Sequence, residues 1–241
     1  MFENNGVLSM DDLSRCSLPS ILVLIAALEE EKGISYTLME LKQQLHNPYV
    51  VVVDGSSKDK TVHVAKSFGA DVIYQTGSGK GDAIRYALKH INEDVGYVVL
   101  TDADYTYPAG FIPQMIQILE ENPQAGMVCG NRFNSHFDLR SMRSVFYIGN
   151  KVLALAHNML NGIDLRDPLT GLRVVRWEIL KNWEPKSDGF DFEVELNHRV
   201  ERQGYEIVEI PIFYRLRMGE KKLKLRHGFT ILRRILTESM Y

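Results

Sequence analysis

Apolar residues in this chain fall into short unbroken runs separated by longer stretches with helical spacing. Ile21-Leu-Val-Leu-Ile-Ala-Ala-Leu28, Tyr49-Val-Val-Val-Val53 and Gly96-Tyr-Val-Val-Leu-Thr101 are apolar at both odd and even positions. A strand that does not alternate is covered on both faces, as in a parallel sheet between helices. Asp71 to Gln75 reads as a further strand. Between these runs, helices are predicted from Glu29 to about His46, where Asn47-Pro48 stops the first, and over Asp59 to Phe68, Asp82 to Ile91 and Phe111 to Glu121. The order β-α-β-α-β-α-β-α predicts an α/β fold, an open doubly wound and mostly parallel sheet flanked by helices.

After Gln124 the pattern changes. Ala125 to Cys129 and Leu172 to Val175 read as short strands, Glu206 to Tyr214 as a longer one, and Asp164 to Gly171 as a loop. Val145, Ile148, Val152, Leu155, Ala156 and Met159 recur at helical spacing within Met142 to Leu160. Phe190 to Arg202 is a second helix, on which Glu193 and Glu195, two residues apart, face different sides, one of them toward solvent. Gly228 to Met240 forms an amphipathic tail helix. These elements predict a flexible arm over 1–18 and one domain over 19–241. Its halves are a nucleotide-binding part, 19–124, and an acceptor-binding part, 125–241.

Composition adds little to that picture, and charge adds more. The chain of 241 residues is 45% hydrophobic and 24% charged, ordinary for a globular domain. A formal net charge of −3 argues against a nucleic-acid binder, which carries a basic excess. The stretch Arg215 to Arg226, with Arg233 and Arg234, is nonetheless basic and suits an anionic ligand or membrane surface. Cys16 and Cys129 have no metal-type spacing and read as reduced thiols. No apolar run is long enough to span a bilayer.

Chemistry is expected at the C-terminal ends of the strands, where open α/β sheets bind ligands. Asp102-Ala-Asp104 ends the fourth strand. Two carboxylates there suit Mg²⁺ or Mn²⁺, ions that bind through one or two carboxylates plus substrate phosphates. A pair of turn-capping aspartates is the alternative. Asp54 follows the second strand, placed either to accept bonds from a nucleoside or to cap the next helix. Gly77-Ser-Gly-Lys-Gly81 precedes a helix and lacks the Walker A spacing, yet Lys80 is a candidate phosphate contact. Arg132, Arg143 and Arg173, together with Arg217 and Lys222, form a candidate site for a second phosphate. No Ser-His-Asp or Cys-His arrangement stands out, and His157 reads as a core or surface residue.

These segments, in this order, resemble the family 2 inverting glycosyltransferases of GT-A fold, and most closely their dolichyl-phosphate mannosyltransferase (polyprenyl-phosphate glycosyltransferase) branch. Ile25-Ala-Ala-Leu-Glu-Glu-Glu-Lys-Gly-Ile34 resembles the opening I-P-A-L-N-E-E-x-x-I, with Ala26 for proline and Glu29 for asparagine. Val53-Asp-Gly-Ser-Ser-Lys-Asp-Lys-Thr61 resembles V-D-G-S-x-D-x-T, and Gly79-Lys-Gly-Asp-Ala-Ile-Arg85 resembles G-K-G-x-A-x-R. Asp102-Ala-Asp-Tyr-Thr-Tyr-Pro108 resembles the metal signature D-A-D-x-x-x-P. Gly130-Asn-Arg-Phe133, Asp167-Pro-Leu-Thr-Gly-Leu-Arg173 and Arg217-Met-Gly-Glu-Lys-Lys-Leu223 resemble the three segments that follow.

The resemblance implies a nucleotide-sugar site of Ala27, Glu30, Asp54, Lys80, Asp102, Arg217 and Lys222. It implies a metal at Asp102 and Asp104, with Thr106 in the place of a third ligand. Asp104 and Arg132 take the catalytic roles, and Arg132, Arg143, Thr170 and Arg173 face the acceptor. The implied reaction is metal-dependent transfer of a hexose from a nucleoside diphosphate sugar (GDP-mannose or a UDP-hexose or UDP-N-acetylhexosamine) to a dolichyl or polyprenyl phosphate. The expected location is cytoplasmic, peripheral on the cytoplasmic face of a membrane. An acceptor phosphate carries its own charge near neutral pH, so no strong protein base is needed. Two rivals stay open: a transferase of the same fold with a soluble sugar acceptor, and a nucleotide-binding module without transferase activity.

Overall fold

Among the described residues seven strands form one sheet, with the third strand of the chain at one edge and the seventh at the other. The computed structural model describes residues 20–91, 95–133, 145–224 and 226–240. The N-terminal arm with Cys16, and Met142 and Arg143, lie outside the described residues. β1 (Ile21–Ala27), β2 (Tyr49–Asp54), β3 (Asp71–Tyr74) and β4 (Tyr97–Asp102) alternate with the helices α1 (Ile34–Gln44), α2 (Thr61–Ser67) and α3 (Lys80–His90). All neighbouring pairs among these four strands are parallel, with Leu24 of β1 beside Val51 and Leu100. A 3₁₀ turn at Ala109–Phe111 leads into α4 (Ile112–Glu121), then β5 (Ala125–Asn131) and α5 (Val145–Asn161). β6 (Arg173–Arg176) runs antiparallel between β4 and β5, and β7 (Glu206–Pro211) pairs parallel with β5 on the sheet's edge. α6 (Trp177–Leu180), α7 (Phe192–Arg202) and α8 (His227–Glu238) complete the chain.

The unbroken apolar strands bury both faces. Val23, Ile25, Val52 and Val99 pack beneath α1 and α4, through Ile34, Leu38, Leu41, Met115 and Leu119. Leu22, Leu24, Val51, Val53 and Leu100 pack against α3 and α7, through Ile84, Ala87, Phe192 and Leu196. A leucine or isoleucine fully removed from water contributes about 1.5–3 kcal/mol. The two layers therefore fix the strand register that carries Asp102 and Asp104 to one edge.

Among the described residues two boundaries differ from the sequence pattern by three residues or more, and one element is additional. The first helix begins at Ile34, not Glu29, because Glu29 to Gly33 form a turn beside the end of β4. A Cβ on Gly33 would lie 2.7 Å from the Asp104 Cα, so only glycine lets the two segments meet. β7 stops at Pro211 instead of continuing to Tyr214. The short helix α6 was not anticipated, since four residues give no periodic signal.

Candidate active site

A cleft of about 590 Å³ opens at the C-terminal ends of β1 and β4. Ala27, Glu30, Lys80, Asp102, Asp104, Arg132, Arg217 and Lys222 all line it. Parallel strands deliver the first residues. The segment 215–224, which leaves the sheet after β7, lies across the top as a strap. Arg215 anchors it, bidentate to Glu40 at 2.7 Å and 4.2 Å over the Tyr105 ring.

Asp104 is fully buried. Its Oδ1 accepts from the Thr106 backbone N–H at 3.0 Å and from the Thr106 hydroxyl at 2.6 Å, and its Oδ2 accepts from Arg217. Burial and the neighbouring Asp102 raise its carboxyl above the usual range. Arg217 also reaches Glu30 Oε1, leaving the buried Glu30 Oε2 with no hydrogen-bond partner among the described residues. Burial lifts Glu30 to about 7, against the pull of Arg217. Asp102 is more open, its side chain 30% exposed, and accepts from Lys80 at 2.7 Å. Lys80 also meets Glu193 at 2.9 Å. Burial alone lowers the Lys80 ammonium pKa, but the two carboxylates outweigh it and raise it.

On another part of the cleft wall Arg132 is held in a bidentate pair with Asp167, at 2.7 Å on both oxygens, and its guanidinium lies 5.4 Å from the Tyr214 ring centroid. Glu209 in turn accepts from the Arg166 and Asp167 backbone N–H groups, fixing the loop that carries Asp167. Lys221 joins this wall. Its pKa is lowered by partial burial and by the charges of Arg132 and Arg217. Arg132, Lys221 and Arg217 thus bring three positive charges close together in the cleft lining, and Arg217 rests on Asp104 itself. Lys221 escaped the sequence reading, because only Lys222 matches the lysine of the last segment of the resemblance, yet both line the cleft.

Several expected residues lie elsewhere. Thr106 is fully buried and donates to Asp104, so it orients that carboxylate rather than facing the cleft. Asp54 is fully buried and caps its own turn, its Oδ2 accepting from the Ser56 and Ser57 N–H groups at 2.9 Å. Thr170 is buried, and its carbonyl accepts from Arg173. Arg173 sits in the core, donating to Asn197 Oδ1 at 2.6 Å and the Pro168 carbonyl at 2.6 Å. Arg143 lies outside the described residues. Glu193 and Glu195 are both buried, which corrects the expectation that one faces solvent. Glu193 meets Lys80, and Glu195 accepts from the Lys186 and Ser187 N–H groups at 2.7 Å. His157 is a core residue, beside Asn158 and Asn197.

The donor set fits Mg²⁺ or Mn²⁺. Asp102 and Asp104 share one edge, and the described residues hold no group of three ligating side chains. Such ions complete their shells with phosphate oxygens and water.

The glycosyl transferase family 2 model matches residues 22–183, well over half of the chain. The chain belongs to glycosyl transferase family 2. Within that family it is 32% identical over 212 residues to the dolichyl-phosphate hexose transferase of Haloferax volcanii, covering 88% of this chain and 90% of that protein. It is 30% identical over 210 residues to the low-salt glycan biosynthesis hexosyltransferase Agl6 of the same organism, covering 86% of this chain and 50% of Agl6. The chain thus spans about half the length of Agl6. Among solved structures it resembles glucosyl-3-phosphoglycerate synthase of Mycobacterium tuberculosis in complex with UDP, with TM-score 0.73 and 20% identity over 99% of this chain and 87% of that one. That likeness establishes the fold of this family 2 member as an α/β glycosyltransferase fold.

Proposed function

We propose that the chain transfers a hexose from a nucleoside diphosphate sugar to a polyprenyl phosphate of the dolichyl type, with inversion at the anomeric carbon. One observation carries this reading. Among the described residues every carboxylate lining the cleft (Glu30, Asp102, Asp104 and Glu193) is paired with Lys80 or Arg217, while Arg132 and Lys221 bring further positive charge to the same cleft. A site whose carboxylates are all engaged by cations suits a nucleophile that arrives already charged. A phosphomonoester is such a nucleophile, since its second pKa is about 6. The 32% identity to a dolichyl-phosphate hexose transferase supports the same acceptor class.

In this reading Asp102 and Asp104 would hold Mg²⁺ or Mn²⁺. The bound ion would act as a Lewis acid and template for the leaving group. Arg132, fixed by Asp167, orients the acceptor phosphate, and Arg217 and Lys222 on the strap close over the diphosphate. An acceptor phosphate oxygen forms the new bond to C1 of the sugar. The bond from C1 to the diphosphate oxygen breaks, and its electron pair leaves on the nucleoside diphosphate. The deciding experiment incubates UDP- and GDP-sugars with Mn²⁺ or Mg²⁺ and a short polyprenyl phosphate, then weighs the product. A polyprenyl-phosphate hexose is the expected mass. Transfer to soluble sugars alone, or nucleotide binding with no turnover, overturns the reading.

The lipid half has a second support. Ile148, Val152, Leu155 and Met159 form one stripe on α5, each 56–76% exposed. Phe229 and Leu236 of α8, the helix packed beside α5, are 79% and 47% exposed. The other sides of the two helices reach the cleft through Tyr147, Asn150, His227 and Ile231. No helix among the described residues is long and apolar enough to cross a membrane. We read the stripe as a surface that rests on a bilayer at the cytoplasmic face, where Arg226 and Arg233 meet anionic headgroups. Val152→Asp with Leu155→Asp is expected to abolish sedimentation with anionic vesicles while leaving the melting temperature within a few degrees. Undiminished sedimentation excludes this face.

A further inference from the structure

Lys80 stands between two carboxylates from different layers of the fold. It opens α3, yet its ammonium reaches Asp102 at the end of β4 and Glu193 in the first turn of α7. The Lys80 side chain is 13% exposed and that of Glu193 is 6% exposed. The contact has backbone support, because Gly81 and Asp82 donate to the Gly189 and Asp188 carbonyls just before α7. A Cβ on Gly81 would lie 2.2 Å from the Ser187 carbonyl oxygen. The start of α3 and the approach to α7 are thereby pressed together, and the triad geometry is fixed.

One ammonium shared by two carboxylates leaves a net negative charge on the triad. A lysine paired with Asp102 alone would neutralise it and compete with any divalent cation for the same oxygens. We infer that Glu193 is a positioning residue for the metal ligands, drawing Lys80 partly off Asp102 so that this carboxylate keeps its attraction for a divalent cation. The inference rests on the metal reading proposed above. It also gives Glu193 a part distinct from that of a general base, since its carboxylate is engaged by the buried ammonium.

The test measures Mn²⁺ binding by the paramagnetic resonance signal of the free ion, with saturating UDP and then GDP, independently of turnover. Glu193→Gln keeps the shape and an acceptor oxygen for Lys80 and removes only the charge. Its Mn²⁺ affinity is expected to fall about tenfold or more, the usual cost of losing a group behind a metal ligand. Adding Lys80→Met to Glu193→Gln removes the competing ammonium, and affinity is expected to recover most of that loss. Equal Mn²⁺ affinity in wild type and Glu193→Gln overturns the inference and leaves the metal reading standing. A loss that the double variant does not recover also overturns it, because Glu193 then acts by another route. If wild type binds no Mn²⁺ with either nucleotide, the metal reading fails and takes the inference with it.

Discussion

Asp102→Asn is expected to leave the chain folded and to lower kcat/KM for hexose transfer by roughly a hundred- to a thousandfold, the range for removing one group that stabilises developing charge. The amide matches the carboxylate in shape and still offers an oxygen to Lys80. Lys80 retains Glu193, so its buried charge is not stranded. The side chain is 30% exposed, so little desolvation changes. What disappears is half of the anionic pair at the end of β4. Rates measured across a Mn²⁺ titration, beside a thermal melt, separate the two effects. Full activity at saturating metal, with an unchanged melt, ends the metal role of Asp102.

Arg173→Ala is expected to cost about 3–5 kcal/mol of stability, from unpaired buried acceptors and the cavity left behind. Arg173 is 1% exposed and gathers Asn197, the Thr170 and Pro168 carbonyls and the Met127 sulfur around one guanidinium. Those acceptors belong to the loop before β6, to β5 and to α7, so the loss is felt in three elements. Urea unfolding gives the magnitude. Arg173→Lys distinguishes a core role from an acceptor role. A point-charge ammonium cannot reproduce the planar fork, so a structural arginine predicts lost stability with an unchanged KM for the lipid phosphate. A raised KM at full stability would restore Arg173 to the acceptor site.

The strands and the Asp102–Asp104 edge were legible because apolar runs at both parities mean burial on both faces, and a buried strand must end where its polar residues begin. Sheet order was not legible. Nothing in Leu172 to Val175 says that β6 runs antiparallel between β4 and β5, since pairing partners are chosen by the whole sheet. Side-chain direction was the harder part. Thr106 and Arg173 both carry the chemistry of a site, yet one turns inward to donate to Asp104 and the other to a ring of carbonyls. Glu193 and Glu195 look like a solvated helix start. Glu195 accepts from two backbone N–H groups of the approach at 186–189, and Glu193 meets Lys80 at the start of α3. Charged residues follow their partners, and those partners lie far away in sequence.

Arg217 follows Asp104 by 113 residues and Glu30 by 187. A chain emerging from the ribosome therefore exposes both carboxyls long before their guanidinium exists. Contacts of such separation form late, because loop closure must be met before they give any return. In the folded chain burial holds both carboxyls above their usual range even with Arg217 in place. Docking of the strap is the step that brings one guanidinium to both carboxyls.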